Sequence, residues 1–208
     1  MKIGNQRGLQ RIVYLIVIVV VITIIFLSLY QYRSPAVLTT IAMAGNSMEP
    51  TIMGGQTITV DNSYYNYNPL SRGDIVAFRL KTQNTSLVKR IIALPGDFME
   101  FPEGKIMING RIIEEDYTIE DSGDQDVSIE DLELIADMFG QDGTDIGDII
   151  NQDQNTSGRF DMIIRMLNQD GSIPQNYVIA LNDNRKNIYD SRHLGLFPID
   201  YITGKVIL

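Results

Sequence analysis

The order of apolar and polar positions divides the chain into three stretches. From Ile12 to Tyr30 the run IVYLIVIVVVITIIFLSLY carries no charge. At ~1.5 Å per residue it spans about 28 Å, close to the thickness of a bilayer's hydrocarbon core. It predicts a single transmembrane helix. Lys2, Arg7 and Arg11 precede the run and only Arg33 follows closely, a bias that puts the N-terminus in the cytoplasm and the remainder outside. Tyr14, Tyr30 and Tyr32 fall near the two expected interfaces. A cleaved signal peptide is the alternative, with Ala42-Met43-Ala44 as its A-x-A site. The apolar run exceeds the roughly 7 to 15 residues of such a segment, and the A-x-A lies well beyond its end, so a permanent anchor fits better.

Beyond Pro35 the period shortens to that of strands. VLTTIAMA (37–44), QTITVD (56–61), DIVAFRL (74–80) and SLVKRIIAL (86–94) are β-type runs bounded by turn residues. KIMI, Asn109-Gly110 and RII predict a hairpin, because Asn-Gly supplies the two positive-φ positions of a type I′ turn. YVIAL (177–181) and the final YITGKVIL complete the β set. Residues 116–172 depart from it. There Ser128-Ile129-Glu130-Asp131 has the form of a capping box, and Ile129, Leu132, Ile135, Met138 and Phe139 follow at helical spacing. Asp142, Asp145 and Asp148 have a calcium-like composition at i, i+3, i+6. Those are not the alternating positions of an EF-hand loop, so the stretch reads as a solvated acidic loop.

The expected fold is therefore mostly β: a single N-terminal transmembrane helix, then an antiparallel β-sheet domain with an acidic, partly helical insertion. Its parts are residues 1–33 (cytoplasmic N-terminus and anchor), 34–113 with 173–208 (the β-rich domain) and 114–172 (the insertion). The net charge of −9 sharpens this division. Residues 114–170 hold seventeen acidic and two basic side chains, a net −15, leaving +6 on the rest. The 208 residues contain no cysteine and only one histidine, His193. This excludes a disulfide framework, a thiolate nucleophile and a zinc site built on His or Cys. Chemistry has to come from Ser, Thr, Lys, Tyr or carboxylates.

Three blocks carry candidate chemistry: Gly45-Asn46-Ser47-Met48-Glu49-Pro50-Thr51; Val88-Lys89-Arg90-Ile91-Ile92-Ala93-Leu94-Pro95-Gly96-Asp97; and Asn182-Asp183-Asn184-Arg185 continuing to Asp190-Ser191-Arg192 and Gly195. In this order, behind a single anchor, they resemble the bacterial type I signal peptidases over residues 1–113 and 173–208. A hydroxyl is a poor nucleophile unless a neighbouring base takes its proton, and with no histidine in these blocks the base has to be an amine or a carboxylate. The resemblance makes Ser47 the nucleophile, Lys89 the general base and the Ser47 backbone N–H an oxyanion donor. An exposed lysine with a pKa near 10.4 is useless as a base at neutral pH. Leu87, Val88, Ile91 and Ile92 around Lys89 suggest the desolvation that would lower it.

By the same resemblance Asp183, Asn184, Arg185, Asp190 and Arg192 brace the site through charge-assisted hydrogen bonds. Ile41, Met43, Ile52 and Val88 match positions that line small apolar pockets, implying cleavage after A-x-A, although as core residues they would look the same. An extended substrate would add to the edge of the strand before Ser47. The chain departs from the family at Gly45, where many relatives carry a serine, at Asn182, where glycine is common, and at Ile188, where a serine meets the lysine. The implied partners are secretory preproteins and membrane lipid, with no nucleic acid, metal or cofactor. The implied location is the cytoplasmic membrane, single-pass, with the catalytic domain on its outer face. Self-cleaving repressor proteases also use a Ser-Lys pair, but they carry a DNA-binding helix-turn-helix where this chain has an anchor. An inactive signal-peptidase-like module that serves as a partner protein is the remaining alternative.

Overall fold

The computed structural model describes residues 4–31, 36–79, 86–119, 160–187 and 189–208. It separates into two compact units, Met1–Ala36 and Val37–Leu208.

The first unit is the helix α1, Gly4–Gln31. Its stretch Gln10–Ser28 has a mean hydropathy of 2.8 and buries nothing within the protein, and it is long and apolar enough to cross a membrane. Ile, Val and Leu are exposed on every side of it. A helix also satisfies its own backbone polar groups, as a span through hydrocarbon requires. Even the Thr23 hydroxyl is accounted for, donating to the Val19 carbonyl at 2.8 Å.

In the second unit the chain forms β1 (Leu38–Ala42), β2 (Thr57–Asp61), β3 (Ile75–Arg79), β4 (Ser86–Ala93), β5 (Met99–Glu100), β6 (Met107–Ile108) and β7 (Arg111–Ile112). After these come α2 (Asp161–Met166), β8 (Tyr177–Leu181), α3 (Ser191–Leu194), β9 (Phe197–Pro198) and β10 (Ile202–Ile207). Among the described residues a seven-stranded sheet runs β1-β2-β10-β3-β4-β8-β9, and β5-β6-β7 form a smaller one. Every pairing between these strands is antiparallel. Each run with strand periodicity forms a strand. The Asn109-Gly110 turn has φ of 52° and 75°, as its hairpin requires. The strands β5 and β9 and the helix α2 were not expected, because two-residue strands and a six-residue helix are too short to show a period.

The continuous apolar run of β3 has a simple cause: both faces of the central sheet are covered. Val76 and Phe78 point into one core with Ile91, Val178, Ala180 and Phe197. Ile75 and Ala77 point into another with Met43, Met48, Ile52, Ile58, Val60, Val88 and Val206. A third cluster includes Ile92, Ile108, Ile173 and Ile179, and Phe160 and Ile163 from the C-terminal flank of the acidic segment join it. Where β10 shifts register between Ile202 and Gly204, a Cβ on Gly204 would lie 2.5 Å from the Asp61 carbonyl oxygen. Only glycine permits that approach.

The N-terminal flank of the acidic segment joins the β unit too. The Ile119 N–H donates to the Asp183 carbonyl (3.0 Å), and the Arg185 N–H to the Ile119 carbonyl (2.9 Å). The helix expected at 128–139, the stretch at Asp142, Asp145 and Asp148, and the departure at Ile188 lie outside the described residues.

Candidate active site

Ser47 sits in the turn between β1 and β2. Two bonds extend the hairpin past the strand ends, Met43 N–H to the Gln56 carbonyl (2.9 Å) and Gly55 N–H to the Met43 carbonyl (2.8 Å). Met48 and Ile52 are wholly buried and pin the turn to the core, while Ser47 itself stays half-buried. Ile52 N–H closes the turn onto the Met48 carbonyl at 2.8 Å. Among the described residues the Ser47 N–H donates to no acceptor, which leaves it available to an incoming oxygen. The surroundings of Gly45 are open, with no atom within 4 Å of where a Cβ would stand.

Lys89 lies in the middle of β4, opposite Val76 of β3, and is only 2% exposed. Burial pushes its ammonium down to about 8. The negative charge of Asp190 works against this shift and the positive charge of Arg192 adds to it. Among the described residues neither Lys89 Nζ nor Ser47 Oγ has a hydrogen-bond partner.

The loop after β8 joins the two. Asp183 is fully buried and accepts a two-pronged bond from Arg90, Nε to Oδ1 at 2.8 Å and Nη2 to Oδ2 at 2.6 Å. It also accepts from Thr51 Oγ1 at 2.5 Å. The next residue, Asn184, donates its N–H to the Ser47 carbonyl (3.0 Å) and Nδ2 to the Asn46 carbonyl (3.1 Å). One dipeptide therefore fixes both the turn carrying Ser47 and the strand carrying Lys89. Fork-on-carboxylate pairing sets angle as well as distance, which a single ammonium contact would not.

Behind this clamp the loop braces itself. Arg192 pairs with Asp190, Nε to Oδ1 at 2.9 Å and Nη2 to Oδ2 at 2.8 Å, and both side chains are wholly buried. Burial opposes ionisation of Asp190, but the Arg192 charge and bonds from Arg192 and the Asn182 N–H outweigh it and hold the carboxyl below the usual range. Arg192 also donates to the carbonyls of Arg185 and Asn187, each at 2.8 Å. Arg185 grips Glu115 with Nη1 at 3.0 Å and Nη2 at 2.5 Å.

The structure thus links the Ser47 turn through Asp183 and Asn184 to Arg90, the neighbour of Lys89 in β4, with Arg185, Asp190 and Arg192 in the same loop. Met43, Ile52 and Val88 are buried in the cluster that holds Met48, and Ile41 packs against it half-buried. Four contributors were absent from the sequence reading of the site. Arg90 and Thr51 stand inside quoted motifs, and their signal was adjacency to Lys89 and Pro50. Glu115 and the Tyr117 ring, 4.1 Å beneath the Arg90 guanidinium, gave no signal, because Glu115 meets its partner across 70 residues of sequence.

This antiparallel β fold with its buried lysine defines the class. The family model described as signal peptidase, peptidase S26, matches residues 9–208, and the chain belongs to that family. It is a serine peptidase of the signal peptidase I type. Signal peptidase I of Bacillus caldolyticus is 28% identical over 170 residues, covering 82% of this chain and 78% of the relative. Signal peptidase IB of Staphylococcus aureus is 27% identical over 170 residues, covering 82% and 76%. A solved signal peptidase I from Enterococcus faecalis superposes with a TM-score of 0.40 at 23% identity, covering 67% of this chain and 98% of that one. That superposition is too loose to inform the site.

Proposed function

We propose that the protein is anchored by α1 in the cytoplasmic membrane and removes signal peptides from exported preproteins on the outer face, cutting after A-x-A. Ser47 is the nucleophile and Lys89 the general base. The Lys89 amine takes the Ser47 hydroxyl proton as Oγ attacks the scissile carbonyl carbon, and the developing oxyanion is met by the Ser47 N–H. The resulting ammonium gives its proton to the departing amine. Lys89 then deprotonates the water that hydrolyses the acyl ester, and Ser47 recovers its proton. Ile41, Met43, Ile52 and Val88 shape the pockets for the small substrate side chains.

The observation that carries this reading is the burial of Lys89, which brings its amine within reach of neutrality near pH 8. Catalytic hydrogen bonds tighten when substrate arrives, and the Ser47–Lys89 bond forms at that point. The test uses the full-length protein in detergent with a preprotein bearing an A-x-A site. Ser47→Ala and Lys89→Ala should each lower turnover by at least about a thousandfold, and Lys89→Arg should fail as badly because a guanidinium stays protonated. Wild-type cleavage should rise with pH up to a limb near 8. Substantial activity in Lys89→Arg would sink the assignment of Lys89 as the base, and a wild-type protein that cleaves no preprotein would favour the inactive module. Orientation is tested by reporters fused after Leu208: alkaline phosphatase activity is expected, and activity only of a cytoplasmic reporter would reverse the topology.

A further inference from the structure

The ladder between β4 and β8 pairs Arg90 with Leu181 and Ile91 with Ala180. One antiparallel step further sets Lys89 opposite Asn182. Residues opposed in this way share a face, with Cβ atoms about 4.5–5.5 Å apart.

Asn182 is wholly buried. Its backbone N–H donates to Asp190 Oδ2 at 3.0 Å. Its side-chain nitrogen donates to Asn187 twice, to the carbonyl at 3.0 Å and to Oδ1 at 3.1 Å. Two acceptors on one side fix which end of the amide is nitrogen. The oxygen is therefore turned away from them, and it is a buried acceptor without a hydrogen-bond partner. Such a group is costly unless something uses it. Across the ladder stands Lys89, a buried side chain whose amine has no hydrogen-bond partner among the described residues.

We propose that Asn182 is a positioning residue for Lys89: its Oδ1 accepts an N–H of the Lys89 amine when substrate enters, leaving the amine's lone pair for the Ser47 hydroxyl. This rests on the Ser47–Lys89 reading and deepens it. A neutral amine has two N–H donors and one lone pair, so holding one N–H restricts where the lone pair points. Once the amine has taken the Ser47 proton, the same acceptor favours the ammonium. The other charges acting on Lys89 are Asp190 and Arg192, which pair with each other. Arg90 and Asp183, each one position along the chain from the two residues, are likewise a closed pair.

The experiment follows the Lys89 Cε resonance against pH in full-length protein labelled with 13C-lysine, in detergent, using Lys89→Met to assign the signal. Cleavage kinetics are measured on the same samples. Loss of the acceptor in Asn182→Ala should lower the Lys89 titration by about one pH unit. The acid limb of activity should move with it, and kcat should fall about tenfold with KM little changed. Asn182→Asp, of the same shape, should move the titration upward and serves if the alanine variant does not fold. Asn187→Ala removes one anchor of the amide but keeps the acceptor, so the Lys89 titration should stay in place. An unmoved titration in Asn182→Ala, or an equal shift in Asn187→Ala, overturns the proposal and leaves Asn182 a brace of the loop. A wild-type Lys89 titrating near 10.5 overturns the Ser-Lys reading itself, and the proposal with it.

Discussion

A lysine buried as deeply as Lys89 works against the fold that holds it. Its pKa falls from 10.5 in the unfolded chain to about 8, so between those values the unfolded state binds more protons and stability rises with pH. Below pH 8 the cost is fully present, about 3 kcal/mol for a shift of this size. Lys89→Met, which keeps the volume and removes the charge, should therefore stabilise the protein by up to that amount at pH 7. The gain should fade as pH approaches 10.5. Chemical denaturation at the two pH values reads it directly, and equal stabilisation at both would show that desolvation of Lys89 is not the cause. Stabilisation on removing Lys89 would mark it as a residue held for another purpose, and the proposed proton transfer to and from Ser47 supplies one.

Among the elements, β10 is an inner strand of the sheet, paired with β2 on one side and β3 on the other. Gly204 lies at the register shift where the Asp61 backbone approaches most closely. Gly204→Ala should cost about 1–3 kcal/mol, because the Cβ meets main chain that cannot move aside. Thermal unfolding measures this, and a neutral result would mean that the two strands can separate without loss. The Ser47 turn depends on the same region, since Val60 and Val206 share the core that buries Met48 and Ile52. Gly204→Ala should accordingly weaken cleavage only as far as it unfolds the protein. The strands themselves were readable from alternation and turn residues. Their order in the sheet was not, because β10 enters between β2 and β3 from the far end of the chain, and no local pattern encodes a partner so distant.

On the scale of the whole molecule, the described flanks of the acidic stretch serve the fold. Phe160 stacks on Phe101 with ring centroids 4.2 Å apart, Ile163 is buried, and Glu115 holds Arg185. Replacing residues 120–159 with a short Gly-Ser linker should leave preprotein cleavage largely intact. Extending the replacement to 114–172 should abolish it by opening the core and releasing Arg185. Cleavage assays on the two variants distinguish these outcomes, and loss in the shorter replacement would assign the middle segment to the active site.

The sequence by itself determined the apolar helix, the β character of the second unit and the lack of any thiol, and its motifs nominated Ser47 and Lys89. These follow from hydropathy, period 2, composition and short motifs, all of them local. Only the tertiary structure decided that Asp183 and Asn184 tie the Ser47 turn to β4, that Glu115 and Tyr117 reach Arg185 and Arg90, and that β8 runs beside the strand carrying Lys89. Each of those is a pairing across many residues of chain, chosen by which strands share a sheet and which side chains are denied water. Burial of Lys89 belongs with them: a lysine between apolar neighbours in a strand still has one face free for solvent unless other elements cover it.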